Sequence, residues 1–309
     1  MQLRRVAPVV GLLALLAADA GLIGSALRPS PADVYVPAAA AATSTARPTP
    51  SVKATEKFTP PTPVPVEKYV TAVSPTIAWV ARGGSCVNPD VVWVTGDQGA
   101  TWTRNALPGR VLRLLPDSSK EAQAVGANAG TKCSLKLWGT TASGAEWGKP
   151  GDASRAWTRD PNDSQAVHTA RNDVVRPCGP RNVIDLTVLD GSRAQVLCAN
   201  GDVRATTDGG RNWRKSYAAK NALALTVAEG GSGVIVKPAS SCRGVVAVPI
   251  VSGRPAKEGE CVVAPTVDGQ ISVSNAGNAW WLLVGSQLFT AEEPGGPWTR
   301  TKQDPGPEG

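Results

Sequence analysis

One short pattern recurs along this chain and limits its fold more than any other feature. Thr95-Gly-Asp97-Gln-Gly99-Ala-Thr101-Trp102 returns as Thr206-Thr-Asp208-Gly-Gly210-Arg-Asn212-Trp213. Degraded copies stand at Thr140-Thr-Ala142-Ser-Gly144-Ala-Glu146-Trp147 and at Ala291-Glu-Glu293-Pro-Gly295-Gly-Pro297-Trp298. In all four, glycine sits three residues before the tryptophan, and the acidic residue, where kept, sits five before it. An Asp that accepts hydrogen bonds from turn amides, followed by a Gly free to take a positive φ, describes a hairpin. The next strand then carries the Trp into the gap between neighbouring sheets. Replacing Asp97 or Asp208 is expected to loosen a turn, and replacing Trp102 or Trp213 to open a cavity. A pattern repeated in this way signals an array of like units.

The runs before the turns agree. Thr76–Ala81 and Asp90–Thr95 precede the first; Val111–Leu115, Ala122–Gly126 and Ser134–Trp138 precede the second. Val183–Leu189, Ala194–Ala199 and Asp202–Thr206 precede the third. Each is short, rich in Val, Leu or Trp, and bounded by Gly, Asp or Ser, as strands are. No stretch beyond residue 67 holds a helical period over three turns. The chain is read as all-β. Trp102, Trp147, Trp213 and Trp298 are separated by 45, 66 and 85 residues. Repeats of this size run ~40–45 residues, so the last gap reads as two units with one turn lost near Ser252–Glu258. The middle gap reads as one unit with an insertion around Gly148–Arg176. About five units follow, or six if the insertion contributes strands; five is the preferred count.

The pattern resembles the Asp box, or bacterial neuraminidase repeat, Ser/Thr-x-Asp-x-Gly-x-x-Trp. Thr95, Asp97, Gly99 and Trp102 match it fully, as do Thr206, Asp208, Gly210 and Trp213. Thr140, Gly144 and Trp147 match with Ala142 in place of Asp; Gly295 and Trp298 match with Glu293 in place of Asp and Ala291 in place of the hydroxyl residue. The resemblance implies a β-propeller of four-stranded blades. It also brings sialidase chemistry into question, which needs an arginine trio, a Tyr/Glu pair and an acid/base Asp. The Phe/Tyr-Arg-Ile-Pro motif that opens such domains is absent from the sequence. Tyr69 is expected at the domain's edge and Tyr217 on an outer strand. A non-catalytic member is therefore expected. Other propellers of this type serve as assembly factors or sorting receptors, which makes protein partners the implied class. High Ala, Gly and Pro with few Lys give the chain the compositional character of a high-GC actinobacterial protein.

The N-terminus addresses the compartment. Arg4 and Arg5 precede an apolar stretch, Val6–Leu27, interrupted by Asp19. Its length can span a bilayer as a helix, and the arginines before it orient the remainder outward. Ala18-Asp19-Ala20 also resembles a signal-peptide cleavage site. Residues 1–27 are thus expected to be a membrane anchor, with a cleaved signal peptide as the alternative. Residues 28–66, rich in Pro, Ala and Thr, bury too little apolar surface to order themselves and read as a linker. Residues 67–309 form the globular domain, with 26 Lys and Arg against 22 Asp and Glu. That interspersed balance argues against nucleic acid as a partner.

All six cysteines, Cys86, Cys133, Cys178, Cys198, Cys242 and Cys261, fall in this domain, and no CxxC pair occurs. Disulfides on the oxidising side of a membrane fit this usage better than zinc does. Cys178 with Cys198 is the first pair expected. His168 is the only histidine and is read as a loop residue. Glu258 and Glu260, Glu292 and Glu293, Asp152 and Asp160 all read as turn acids. No metal or cofactor is expected. Trp280 and Trp281 must point to opposite faces of a strand, so one of them is a candidate stacking platform for a ligand. The expected function is a non-enzymatic binding or assembly module for an envelope protein or cell-surface glycan. The alternative is a carbohydrate-active hydrolase with two acids ~5–9 Å apart in a concave face.

Overall fold

The computed structural model describes residues 59–83, 90–128, 133–240 and 242–306. The expected anchor at residues 1–27, most of the linker and Cys86 lie outside the described residues. Six antiparallel sheets follow one another along the chain as the blades of a propeller. Blade 1 is β1 (Lys68–Ala72), β2 (Ala78–Arg82), β3 (Asp90–Thr95) and β4 (Thr103–Leu107); blade 2 is β5 (Gly109–Pro116), β6 (Ala122–Asn128), β7 (Leu135–Thr140) and β8 (Gly151–Asp152). Blade 3 has three strands, β9 (Thr158–Arg159), β10 (Val167–His168) and β11 (Val174–Val175). Blade 4 is β12 (Val183–Val188), β13 (Ala194–Cys198), β14 (Asp202–Thr206) and β15 (Arg214–Ala218). Blade 5 is β16 (Ala224–Val227), β17 (Gly233–Pro238) and β18 (Gly244–Val251), with β19 (Arg254–Pro255) and β20 (Glu260–Val263) both paired to β18. Blade 6 is β21 (Ile271–Ala276), β22 (Ala279–Val284), β23 (Gln287–Ala291) and β24 (Thr299–Arg300).

The count is six, not five. The stretch read as an insertion contains the whole of blade 3. Its strands are two residues long, so no alternating apolar run announces them. The turn read as lost in blade 5 is a two-residue hairpin, in which Ser252 (φ 50°) and Gly253 (φ 74°) join β18 to β19. Asn-Gly-type chemistry of this kind, positive φ at both central residues, closes a tight hairpin without a box.

Blades other than the third are covered on both faces by their neighbours, so their central strands are largely apolar on both sides. β22, Ala-Trp-Trp-Leu-Leu-Val, is buried at every position. Aliphatic and indole clusters fill the seams. Trp79, Val92, Leu114 and Trp138 lie between blades 1 and 2, and Trp157, Val167, Val183 and Val196 between blades 3 and 4. Ile184, Leu225, Ile235 and Ile250 fill the seam of blades 4 and 5, and Val234, Val245, Trp280 and Phe289 that of blades 5 and 6. Val80, Trp93, Trp281 and Leu283 close blade 6 onto blade 1. The described residues place no comparable cluster between blades 2 and 3.

The first strand of every blade faces the axis with an unpaired edge, and its N–H groups need acceptors. Neighbouring side chains supply them. Ser272 Oγ accepts the Val70 N–H (2.9 Å) and Ser274 Oγ the Ala72 N–H (3.0 Å), which joins blade 6 to blade 1. Asp185 Oδ2 accepts the Leu225 N–H (2.9 Å), and Asp90 Oδ2 the Val111 N–H (2.8 Å). Two disulfides brace the ring: Cys178 with Cys198 (Cα–Cα 5.6 Å) and Cys242 with Cys261 (6.5 Å). Cys133 is also disulfide-bonded.

Candidate functional site

The repeated turns are built alike. Thr95 Oγ1 donates to Asp97 Oδ1 (2.8 Å) and accepts the Gly99 N–H (2.9 Å). Asp97 in turn accepts the Thr101 N–H (2.9 Å) and hydroxyl (2.6 Å). Thr206, Asp208, Gly210 and Asn212 repeat this set at 2.8, 3.1, 3.0 and 2.7 Å. Hydrogen bonds from Thr101 hold the Asp97 carboxyl down to about 2, and those from Asn212 do the same for Asp208. Where Ala142 replaces Asp, the Thr140 hydroxyl alone remains, accepting the Gly144 N–H (3.1 Å). In blade 6 the turn closes through the backbone, Gly296 N–H to Glu293 O (3.1 Å), and Glu260 accepts the Trp298 N–H (3.3 Å). Gly295 lies against Pro249.

Glycine is required in these turns for two reasons. Gly99, Gly144 and Gly210 have φ of 77°, 83° and 91°. Each also presses on the preceding blade: a Cβ at Gly99 would lie 2.7 Å from Thr301 Cβ, and one at Gly210 2.6 Å from Thr169 Cγ2. The box tryptophans Trp102, Trp147, Trp213 and Trp298 are half-buried at the rims of the seams. The fully buried indoles are Trp79, Trp138 and Trp281, from the inner strands. Trp213 meets Trp157 edge to face at 6.1 Å, joining blades 4 and 3.

Blade 3 carries a further copy of the turn that sequence reading missed. Thr169 Oγ1 accepts the Arg171 (3.3 Å) and Asp173 (3.4 Å) N–H groups, and Asn172 takes φ 66°. The same position is Gln98 (59°), Ser143 (56°) and Gly209 (73°) in the other copies. The Thr-x-x-Asn spacing was its one signal, since the Gly and Trp are missing.

Trp280 and Trp281 do not offer a stacking platform on the surface; they are 2% and 0% exposed. They do point to opposite faces, but both faces of β22 are covered, so Trp280 fills the seam of blades 5 and 6 and Trp281 that of blades 6 and 1. The Trp281 indole donates to Ser74 O (3.0 Å). Both border a hollow of about 360 Å³ between blades 6 and 1.

The more structured hollow is the axial channel, about 300 Å³, ringed by the six first strands. Tyr69, placed by sequence at the domain's edge, lines it together with Arg113, Arg159, Asp185, Thr187 and Ser274. Residues 61–66 lie at the end where the first strands begin. Pro61, Pro63 and Pro65 lack N–H donors, so this irregular segment has few groups to satisfy. The Val66 N–H reaches Ile184 O (2.9 Å) in blade 4, opposite blade 1, and Thr62 bonds Asp268 in the approach to blade 6 (N–Oδ1 2.9 Å). Arg159, from blade 3, donates through one nitrogen to Val66 O and to the Tyr69 hydroxyl (2.8 Å) in blade 1.

Deeper in the channel wall, Arg113 donates a long bond to Trp157 O (3.4 Å) across the seam of blades 2 and 3, and forms no ion pair among the described residues. Loss of hydration lowers its guanidinium to about 10. Asp185 is pushed up to about 6 by burial, against the hydrogen bonds of Leu225 and Leu186 and the charge of Arg159. None of Arg113, Arg159 and Asp185 was picked out as a site residue from sequence. Arg113 and Asp185 had a signal, a charged residue interrupting an apolar run, Val111–Leu115 and Val183–Leu189; Arg159 had none.

His168 pairs with Asp160 (2.7 Å) on blade 3, away from the channel lining. Tyr217 lies on β15, the outer strand of blade 4, its hydroxyl raised by burial. Among the described residues no three His, Cys, Asp or Glu side chains gather as a metal site, and no helix is long and apolar enough to cross a membrane.

No protein-family model matches the sequence, and no curated protein does. Solved structures are similar in fold. The Aleuria aurantia lectin in complex with alpha-methyl-L-fucoside is 11% identical over 78% of this chain and 95% of its own, with a TM-score of 0.49. The WD40 β-propeller domain of Doa1 is 14% identical over 72% and 91%, with a TM-score of 0.38. A GH74 xyloglucanase from Xanthomonas campestris is 15% identical over 75% of this chain, which spans 37% of the xyloglucanase; the TM-score is 0.31.

Proposed function

We propose that this chain is a non-enzymatic binding or assembly module of the Asp-box type, carried outside the membrane on its N-terminal segment, with the axial channel as its binding site for an envelope protein or glycan. The observation that carries the reading is the use to which the channel's carboxylate is put. Asp185 Oδ1 accepts the Leu186 N–H (2.8 Å) and Oδ2 the Leu225 N–H (2.9 Å), so the group joins blade 4 to blade 5. A carboxylate committed to two backbone amides serves the scaffold. The remaining polar lining consists of hydroxyls, an amide and guanidiniums, groups that orient a ligand in a small pocket. Paired cysteines and the apolar stretch Val6–Leu27 after Arg4 and Arg5 support an exported, tethered protein.

The test is capture from intact cell envelopes by cross-linking to the full-length chain, beside a Leu115→Trp variant that fills the channel. Envelope protein or glycan captured by the parent and lost with the variant is the expected result. Equal capture by both chains would remove the channel from the reading. Hydrolysis of an oligosaccharide that disappears in Asp185→Asn would replace the reading with the hydrolase alternative.

A further inference from the structure

The channel is lined by two guanidiniums, Arg113 and Arg159. Val66 reaches Ile184 O where the first strands begin, and Arg159 is tied to Val66 O and to the Tyr69 hydroxyl. Both of those bonds use Nη2, which leaves Arg159 Nε and Nη1 to donate. A guanidinium has five N–H donors, and Arg113 spends one on a single long bond. Burying a cation without an anion is costly, and here the seam that holds Arg113 is the one without an apolar cluster. The nearby carboxylate of Asp185 already accepts two amides. Two guanidiniums with free donors therefore face a space that has one engaged negative charge.

We infer that this channel seats the C-terminal carboxylate of an extended peptide, gripped by Arg113 and Arg159. The inference rests on the binding-module reading and names the ligand's chemistry. Guanidinium is the side chain suited to a planar carboxylate, which it can hold with two parallel bonds. A volume of about 300 Å³ is at the small end of ligand pockets, so it admits the end of a chain and not a folded surface. The wall also carries aliphatic groups (Leu115, Val188, Val227), which suit the side chains of a short peptide. The lining has no indole to lie against a sugar ring, and its single tyrosine is held by Arg159.

The experiment titrates the full-length chain with fluorescein-labelled Ala-Val-Ala-Ala, once with a free C-terminus and once as the C-terminal amide. Inorganic phosphate and glucuronate serve as competitors. The free acid is expected to bind at least about tenfold tighter than the amide, as loss of a charge-assisted pair implies. Arg113→Gln should erase that difference and Arg113→Lys should keep part of it, with thermal melts confirming that both variants fold. Equal binding of acid and amide, or binding of neither, overturns the inference. So does displacement of the acid peptide by phosphate or glucuronate at the peptide's own concentration. The acid/amide comparison uses the unaltered chain, so a misfolded variant cannot obscure it. Envelope capture that depends on an open channel, with no acid/amide difference, would leave the binding reading standing and this inference fallen.

Discussion

Blades 3 and 4 are neighbours in the ring and reach the same place in it by different means. Blade 4 has four strands of five or six residues and apolar clusters on both faces. Blade 3 has three strands of two residues and one apolar face. What blade 3 lacks in strand it makes up in polar turns and cross-links. Asp160 accepts the N–H groups of Asn162 (2.7 Å) and Asp163 (2.9 Å) as well as His168 Nε2 (2.7 Å), and Asp163 pairs with Arg176 (2.7 Å). The Cys178–Cys198 bond then fastens the chain beyond β11 to β13 of blade 4. A ring position thus needs a turn of the right shape and something to hold it, and long alternating strands are only one way to supply the second.

The largest test of that contrast is to remove the fastening. Cys178 and Cys198 are 20 residues apart, and closing a loop of that size stabilises by about 3 kcal/mol in the chain-entropy view. Cys178→Ala with Cys198→Ala should lower unfolding stability by about that amount and release amide exchange across Val167–Val175 first. Cys242 and Cys261, 19 residues apart, close a loop of nearly the same size within well-formed strands, and both can be replaced by Ala. The global cost should be similar, but exchange in blade 5 should stay slow. If both blades loosen equally, the distinction between them fails.

Next comes the contact between the blades. Gly210 has φ 91° and stands against Thr169 of blade 3, so Gly210→Ala meets both backbone strain and a methyl group. About 2 kcal/mol is expected from a left-handed Ala with overpacking, read by urea unfolding. Gly144 has φ 83° but its nearest obstacle, Val92 Cγ2, is 3.0 Å away, and Gly144→Ala should cost about 1 kcal/mol. The reverse order would mean that strain, not the neighbouring blade, decides the effect.

These turns were also what could be read from the sequence. The four boxes and the apolar runs before them correspond to β2, β3, β5 to β7 and β12 to β14 within a few residues. Blade 3 was not legible because two-residue strands have no period, and its turn keeps Thr169 and Asn172 while losing the Gly and Trp by which such turns are recognised. The channel was half legible. Arg113 and Asp185 interrupt apolar runs, but only ring closure shows that first strands face the axis. Arg159 sits in no run at all. The Trp280-Trp281 pair was read as facing two ways, and what the sequence could not supply was a neighbour on each side.

A smaller effect separates complete boxes from the degraded one. Asp97 and Asp208 are held near 2 by their turn hydrogen bonds, against about 3.9 in an unfolded chain. A depressed carboxyl gives stability that is present above about pH 4 and fades as pH falls toward 2. Both groups are exposed, so the loss should be below that of Gly210→Ala. Asp208→Ala should remove part of the acid-limb slope in a pH series of melts. Ala142→Asp should add to it, since the Thr140 turn already has the backbone shape. No change in slope for either variant would mean that these carboxylates do not stabilise the turns.

The smallest effect asks what the His168–Asp160 pair contributes to blade 3. The two side chains are 17% and 16% exposed, between the surface and buried regimes. Asp160 keeps two backbone N–H donors when the imidazole is removed, so His168→Ala should cost under about 1 kcal/mol. The more telling variant is His168→Gln, whose amide can still donate to Asp160. If a hydrogen bond is what closes β10 onto the preceding turn, Gln restores the stability and the slow exchange of Val167. If Gln behaves as Ala does, the imidazole acts by filling space, and blade 3 is held by its turns and its disulfide alone.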